Sequence, residues 1–159
     1  MEKDNPRSQK IITIINGPNL NLLGYRETSI YGTTTMDEVL SDMRVRFPNV
    51  AFDYRQSNHE GQLIDWIQQI SFSCENCLGI ILNAGGYSHN SISLRDTIIW
   101  SPLSIVEVHI SDISRREPFR QKSILSDVCQ HSIIGKGTDG YILAAEWLIN
   151  VARNLLVDE

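Results

Sequence analysis

The 159-residue sequence has no excess of positive charge: its formal net charge is −5. A nucleic-acid-binding surface is therefore not expected. No apolar stretch is long enough to cross a bilayer. Cysteine is scarce, with Cys74, Cys77 and Cys129 making an odd number. The start, "MEKDNPRSQK", is polar, mixed in charge and lacks the apolar stretch of a secretory signal. Reduced thiols and a cytoplasmic location are the expectation. The segment "GPNLNLLG" lacks the GxGxxG and GxxxxGK[ST] spacings, and no HExxH or GxSxG spacing occurs, which weakens dinucleotide and P-loop readings and argues against zinc-protease and serine-elbow chemistry. "CENC" has no second pair to complete a zinc site. No repeat, linker or low-complexity segment divides the chain. The reading is a disordered polar tail over 1–10 and a single domain over 11–159.

What is present alternates. Ile11–Ile15 is an apolar run of strand length. Thr35–Phe47 carries Met36, Val39, Leu40, Met43 and Phe47 at helical spacing, and Thr35 with Glu38 predicts a capping box. Val50–Tyr54 reads as a second strand. Ser57 with Glu60 predicts another capping box, opening a helix with Leu63, Ile64, Ile67 and Ile70 on one face. "LGIILNAGG" is a third strand, without alternation and so buried on both sides. "SISLRDTIIW" reads as a helix, "SIVEVH" as a fourth strand and "HSIIG" as a short fifth. A long helix then runs from Thr138 to about Leu156. Strand and helix in turn predict a parallel sheet covered on both faces. Five strands in this order suit an α/β flavodoxin-like doubly wound fold. The last helix has a narrow polar stripe, Glu146, Asn150 and Arg153. It is either well buried in a monomer or partly covered by another subunit.

Ligands in such sheets bind beyond the carboxyl ends of the strands. There the sequence places Asn16, Asn19, Arg26 and Tyr31, then Asn58 and His59, then Asn83 and His89, then Glu107, His109, Ser111 and the run "RREPFR". Each has a bland reading: asparagines satisfy turns, His89 could cap a helix, and Glu107 with His109, two apart on a strand, could be a simple ion pair. Gathered at one sheet edge, they point to a pocket for a small, polar, anionic substrate.

The blocks "INGPNLNLLGYRETSIYGTTT", "QSNHEGQLIDWI", "ILNAGGYSHNSISLRD", "VEVHIS" and "REPFR" closely resemble the type II 3-dehydroquinate dehydratases. The resemblance runs from about Ile11 to the last helix. It implies a flavodoxin-like subunit, a dodecamer of four trimers, and conversion of 3-dehydroquinate to 3-dehydroshikimate and water. It implies no metal and no cofactor, and a place in the shikimate pathway or in quinate breakdown. The long segment after the first strand would be a lid over the substrate, since long loops often serve so. Tyr31 would be the base, made acidic enough by a cation such as Arg26. Asn19 would hold a water that stabilises the enolate. His109 would be the general acid, oriented by Glu107. Ile110 and Ser111 would take the substrate carboxylate. Asn83, His89 and Arg120 would hold ring hydroxyls, and Asp96 would reach a neighbouring subunit's site. Three positions depart from the usual pattern: Thr28 where the lid often has proline, Tyr25, and Asp112, a carboxylate next to the anion site. The alternative is a non-catalytic flavodoxin-like module that binds small anions.

Overall fold

The computed structural model describes residues 9–157. Residues 1–8 of the expected tail lie outside the described residues. Lys10 belongs to the first strand and pairs with Val50, so the domain begins one residue earlier than expected.

Five parallel strands form one sheet: β1 (Lys10–Asn16), β2 (Val50–Gln56), β3 (Cys77–Asn83), β4 (Ile105–His109) and β5 (His131–Ile134). Their order is β2-β1-β3-β4-β5, that of the expected flavodoxin-like fold, reversing direction between β1 and β3. Strand residues alternate between faces. Ile12, Ile14, Ile81, Val106 and Val108 join a core with α2 (Met36–Arg46) and α5 (Asp139–Val157). Ile15, Ile80, Leu82 and Ile105 join a second core with α3 (Glu60–Ser73) and α4 (Ile92–Trp100). Glu107 and His109 share the parity of Ile105, so they face the α3/α4 side.

The Thr35 capping box forms as expected. The Thr35 backbone N–H donates to Glu38 at 2.7 Å, and the Glu38 N–H donates to the Thr35 hydroxyl at 3.3 Å. The expected Ser57–Glu60 box does not form. The Ser57 N–H continues the sheet by donating to the Asn16 carbonyl at 3.0 Å, its hydroxyl accepts from the His59 N–H, and Glu60 accepts from Ser91 instead. Helix α3 therefore starts at Glu60 after an uncapped His59. In α5, Tyr141, Ala144, Ala145 and Leu148 are buried, while Leu143 and Leu155 are exposed.

The crevice between the ends of β1 and β3 is tight. A Cβ on Gly17 would lie 2.5 Å from the Ala84 carbonyl oxygen, and the Gly17 N–H donates to the Asn83 carbonyl at 2.7 Å. Only glycine allows that approach.

Candidate active site

A cavity of about 180 Å³ opens beyond the carboxyl ends of β1, β3 and β4. Nine of the residues expected at the site line it: Asn19, Arg26, Tyr31, Asn83, His89, His109, Ile110, Ser111 and Arg120. Glu107 lies behind His109 with none of its surface exposed. Asp96 is exposed on α4 and does not line its own chain's cavity.

The lid begins at the floor of this cavity. Asn19 has a left-handed backbone, φ 67, fixed by its N–H donating to the Asn58 side-chain oxygen at 3.0 Å. Glu27 is also left-handed, φ 41. Both are sparsely populated conformations for residues with a Cβ, the kind of strain that collects at ligand sites. The segment was expected to lack secondary structure. Instead it contains one turn of 3-10 helix at Leu20–Leu22 and the four-residue α1 (Thr28–Tyr31). Helix α1 carries Tyr31 at its end, packed against the α2/α5 core.

The cation in hydrogen-bonding reach of Tyr31 is not the expected one. Arg116 Nη1 donates to the Tyr31 hydroxyl at 3.0 Å and to the Ser111 hydroxyl at 3.4 Å. Arg26 lies over the ring face, 5.5 Å from its centre, and is ion-paired with Glu27. The Arg116 guanidinium is pushed above its ordinary pKa, first by its bond to Tyr31, which outweighs burial. Arg116 sits inside "RREPFR", yet the irregular turns there gave no periodicity to separate it from Arg115, which is 86% exposed.

At the far end of β4, His109 Nε2 lies 2.6 Å from Glu107 Oε1. Burial pushes the Glu107 pKa up, and hydrogen bonds from His109, Ser123 and Ser126 with the His109 charge outweigh it, so the carboxyl falls below its usual value. His89 Nδ1 bonds the Lys122 carbonyl at 2.9 Å. A carbonyl can only accept, so Nδ1 carries a hydrogen in this contact. Arg120 Nε is buried with no hydrogen-bond partner among the described residues, and Glu117 is 3.5 Å away. An unpaired buried donor on a cation is costly unless a ligand answers it.

Asn83 is more constrained than expected. Its amide N–H donates to the Tyr141 hydroxyl at 3.0 Å, and its oxygen accepts from the Gly85 N–H at 3.2 Å. One amide hydrogen and one lone pair remain for a ligand. The Tyr141 hydroxyl in turn donates to Asn16 Oδ1 at 2.8 Å. Tyr141 lies outside the polar stripe of the last helix, and nothing in the sequence pattern signals this bridge. Burial first, despite the two asparagine bonds, pushes the Tyr141 hydroxyl pKa up. It is a structural donor, not a base. Asp112 does not intrude on the cavity. Its carboxylate accepts from the Ser114 N–H at 3.1 Å and the Ser114 hydroxyl at 2.6 Å, closing its own turn. Among the described residues, no three His, Cys, Asp or Glu side chains form a metal-ligand set.

Chemically, the cavity offers a phenol beside two guanidiniums, an imidazole backed by a buried carboxylate, and a third, under-paired guanidinium. This set suits acid–base chemistry on a small anion.

Comparison with known proteins agrees. The sequence model described as "Dehydroquinase class II" matches residues 10–149. A protein named 3-dehydroquinate dehydratase from Campylobacter jejuni is 44% identical over 146 residues, covering 91% of this chain and 90% of that one. Another of that name, from Rhizobium etli, is 43% identical over 142 residues, covering 88% and 96%. The crystal structure of a type II dehydroquinase from Butyrivibrio crossotus superposes with a TM-score of 0.83 at 40% identity, covering 89% of this chain and 98% of that chain. With its sheet order, its cavity at the strand ends and a family match across nearly all of the described residues, this chain belongs to the class II dehydroquinase family.

Proposed function

We propose that this protein is a hydro-lyase that converts 3-dehydroquinate to 3-dehydroshikimate and water, in the shikimate pathway or in quinate breakdown. The observation that carries the reading is one cavity holding both the Tyr31–Arg116 pair and the Glu107–His109 pair. Loss of water from a β-hydroxyketone needs a base for the proton beside the ketone and an acid for the departing hydroxyl.

Tyr31 is the base. Its oxygen removes the C2 proton, and Arg116 at 3.0 Å stabilises negative charge on that oxygen. Arg26 adds charge over the ring face and closes the lid side. The ketone becomes an enolate, which a water held by Asn19 stabilises through hydrogen bonding. The enolate then reforms the ketone, a C1–C2 double bond forms and the C1–O bond breaks. His109, oriented by Glu107, gives its proton to the departing oxygen, so water leaves. Ile110 and Ser111 hold the substrate carboxylate, and His89, Asn83 and Arg120 hold the ring hydroxyls. A non-catalytic anion-binding module would gain nothing from a fully buried carboxylate, whose desolvation is costly. Purified protein incubated with 3-dehydroquinate and a strong chelator should develop the absorbance of the conjugated enone. Absence of that signal, or its restoration only by a divalent cation, would overturn the proposal.

We propose further that the protein assembles as trimers, four to a dodecamer. Asp96 on α4 supports this, because it is exposed, away from its own cavity and available to a neighbour's. The exposed Ile92, Ile99 and Trp100 on the same helix supply apolar area for such a contact. Light scattering should give about twelve times the chain mass; a monomer at working concentration would refute the assembly.

A further inference from the structure

Glu107 is surrounded by donors on every side. Oε1 accepts from His109 Nε2 at 2.6 Å and from the Ser123 hydroxyl. Oε2 accepts from the Ser126 hydroxyl at 2.5 Å and the Ser132 hydroxyl at 2.9 Å. An ionised carboxylate offers about four acceptor positions, and all are taken. The Ser123 oxygen itself accepts from the Leu125 N–H at 3.1 Å, which leaves its own hydrogen for Glu107. A proton on Glu107 would have to displace one of these donors. The serines come from separate places: two from the segment after the "REPFR" turns and one from β5.

We propose that Ser123, Ser126 and Ser132 are positioning residues: they saturate Glu107, keep a hydrogen on His109 Nε2, and make Nδ1 the nitrogen that donates to the leaving hydroxyl. The last step rests on the dehydratase reading; the hydrogen position does not. The proton balance is simple. The His109 imidazolium gives its Nδ1 proton to the C1 oxygen, the C1–O electron pair goes to that oxygen, and water departs. His109 is left neutral with hydrogen on Nε2, and Glu107 keeps its charge throughout. No serine here is a nucleophile, because Ser123 donates to the carboxylate and not to the imidazole. The lowered Glu107 pKa agrees with the bonds from His109, Ser123 and Ser126 and the His109 charge together outweighing burial.

The charged and titratable groups facing this pair are few. Cys129, in the segment before β5, has a thiol pKa pushed up by burial and then by the Glu107 charge. The His89 ring centre lies 6.3 Å from that of His109. Arg26, Arg116 and Arg120 line the cavity side. None changes when a serine is replaced.

Removing donors from Oε2 concentrates its charge and makes Glu107 a stronger base, which grips the imidazolium harder and makes it a poorer acid. The test is Ser126→Ala with Ser132→Ala. The alkaline limb of the kcat–pH profile should move up by about 0.5–1 unit. At neutral pH kcat should fall about twofold to threefold, with KM unchanged. Ser132→Thr keeps a hydroxyl and should leave the limb in place. Nitrogen NMR of ligand-free wild-type protein above the imidazole titration should find the His109 hydrogen on Nε2. A hydrogen on Nδ1 would overturn the proposal, as would an unmoved limb in a folded double variant. If the double variant does not fold, Ser126→Ala alone and the wild-type NMR measurement decide. Lack of turnover by wild-type protein would count against the dehydratase reading and leave the NMR result standing.

Discussion

Tyr31→Phe lowers kcat by about a thousandfold or more, the range lost with a general base. That is about 4 kcal/mol of transition-state stabilisation. The substitution keeps the ring that packs on the α2/α5 core and deletes only the hydroxyl that Arg116 reaches at 3.0 Å. Stability should change little, because one partly exposed hydrogen bond contributes about 1 kcal/mol. Substrate should still bind, since the carboxylate and hydroxyl contacts proposed for Ile110, Ser111, His89 and Arg120 survive. Calorimetry for binding and the enone absorbance for turnover separate the two. A variant that turns over near the wild-type rate would show that another group removes the proton.

Arg116→Gln and Arg26→Gln should differ in kind. Arg116 donates directly to the phenol oxygen, and it is largely shielded from solvent, with 14% of its side chain exposed. Losing it removes the charge nearest the base when that base must be anionic, so kcat should fall about a hundredfold, with a smaller change in KM. Arg26 is ion-paired with Glu27 and contacts only the ring face. Arg116 is also paired with a carboxylate, Glu117, at 3.4 Å, so the difference lies in the phenol bond and in exposure: a more exposed cation without that bond contributes less, and Arg26→Gln should cost about tenfold, more of it in KM. The two kcat values, measured at saturating substrate, decide the matter. If Arg26→Gln costs more than Arg116→Gln, lid closure must carry Arg26 onto the phenol, and the resting contact is not the catalytic one.

These two arginines also mark where sequence reasoning stops. The five strands were legible as short apolar runs between turn residues, and the four longer helices by apolar residues at a period of about 3.6. Helix α1 was not, being four residues long and too short for any period. Thr35 and Ser57 both begin a box-like sequence, yet only Thr35 caps, because the backbone of Ser57 is still bonded to β1. Most of the site was legible too, since strand ends are predictable and polar residues collect there. Arg116, Tyr141 and the serines around Glu107 were not. Their roles depend on contacts between residues far apart in sequence: 85 positions for Arg116 with Tyr31, and 125 for Tyr141 with Asn16. Such contacts leave no local pattern.

The close approach at Gly17 has a consequence for how affinity can change. Beneath the cavity, the ends of β1 and β3 are held by that contact and by the Tyr141 bridge, so the floor has almost no freedom left to lose. The ordering entropy of ligand capture then falls on the lid, which carries the strained turns at Asn19 and Glu27. Affinity and part of the chemistry are thus written on the same segment, because α1 within the lid carries Tyr31. A change such as threonine for proline at Thr28, the first residue of α1, alters both how much disorder the ligand must remove and how firmly the base is held, while Glu107 and His109 stay where β4 puts them. A lineage that drifts between tight, slow-releasing and loose, fast-releasing forms through the lid moves its base as well and leaves only the acid untouched.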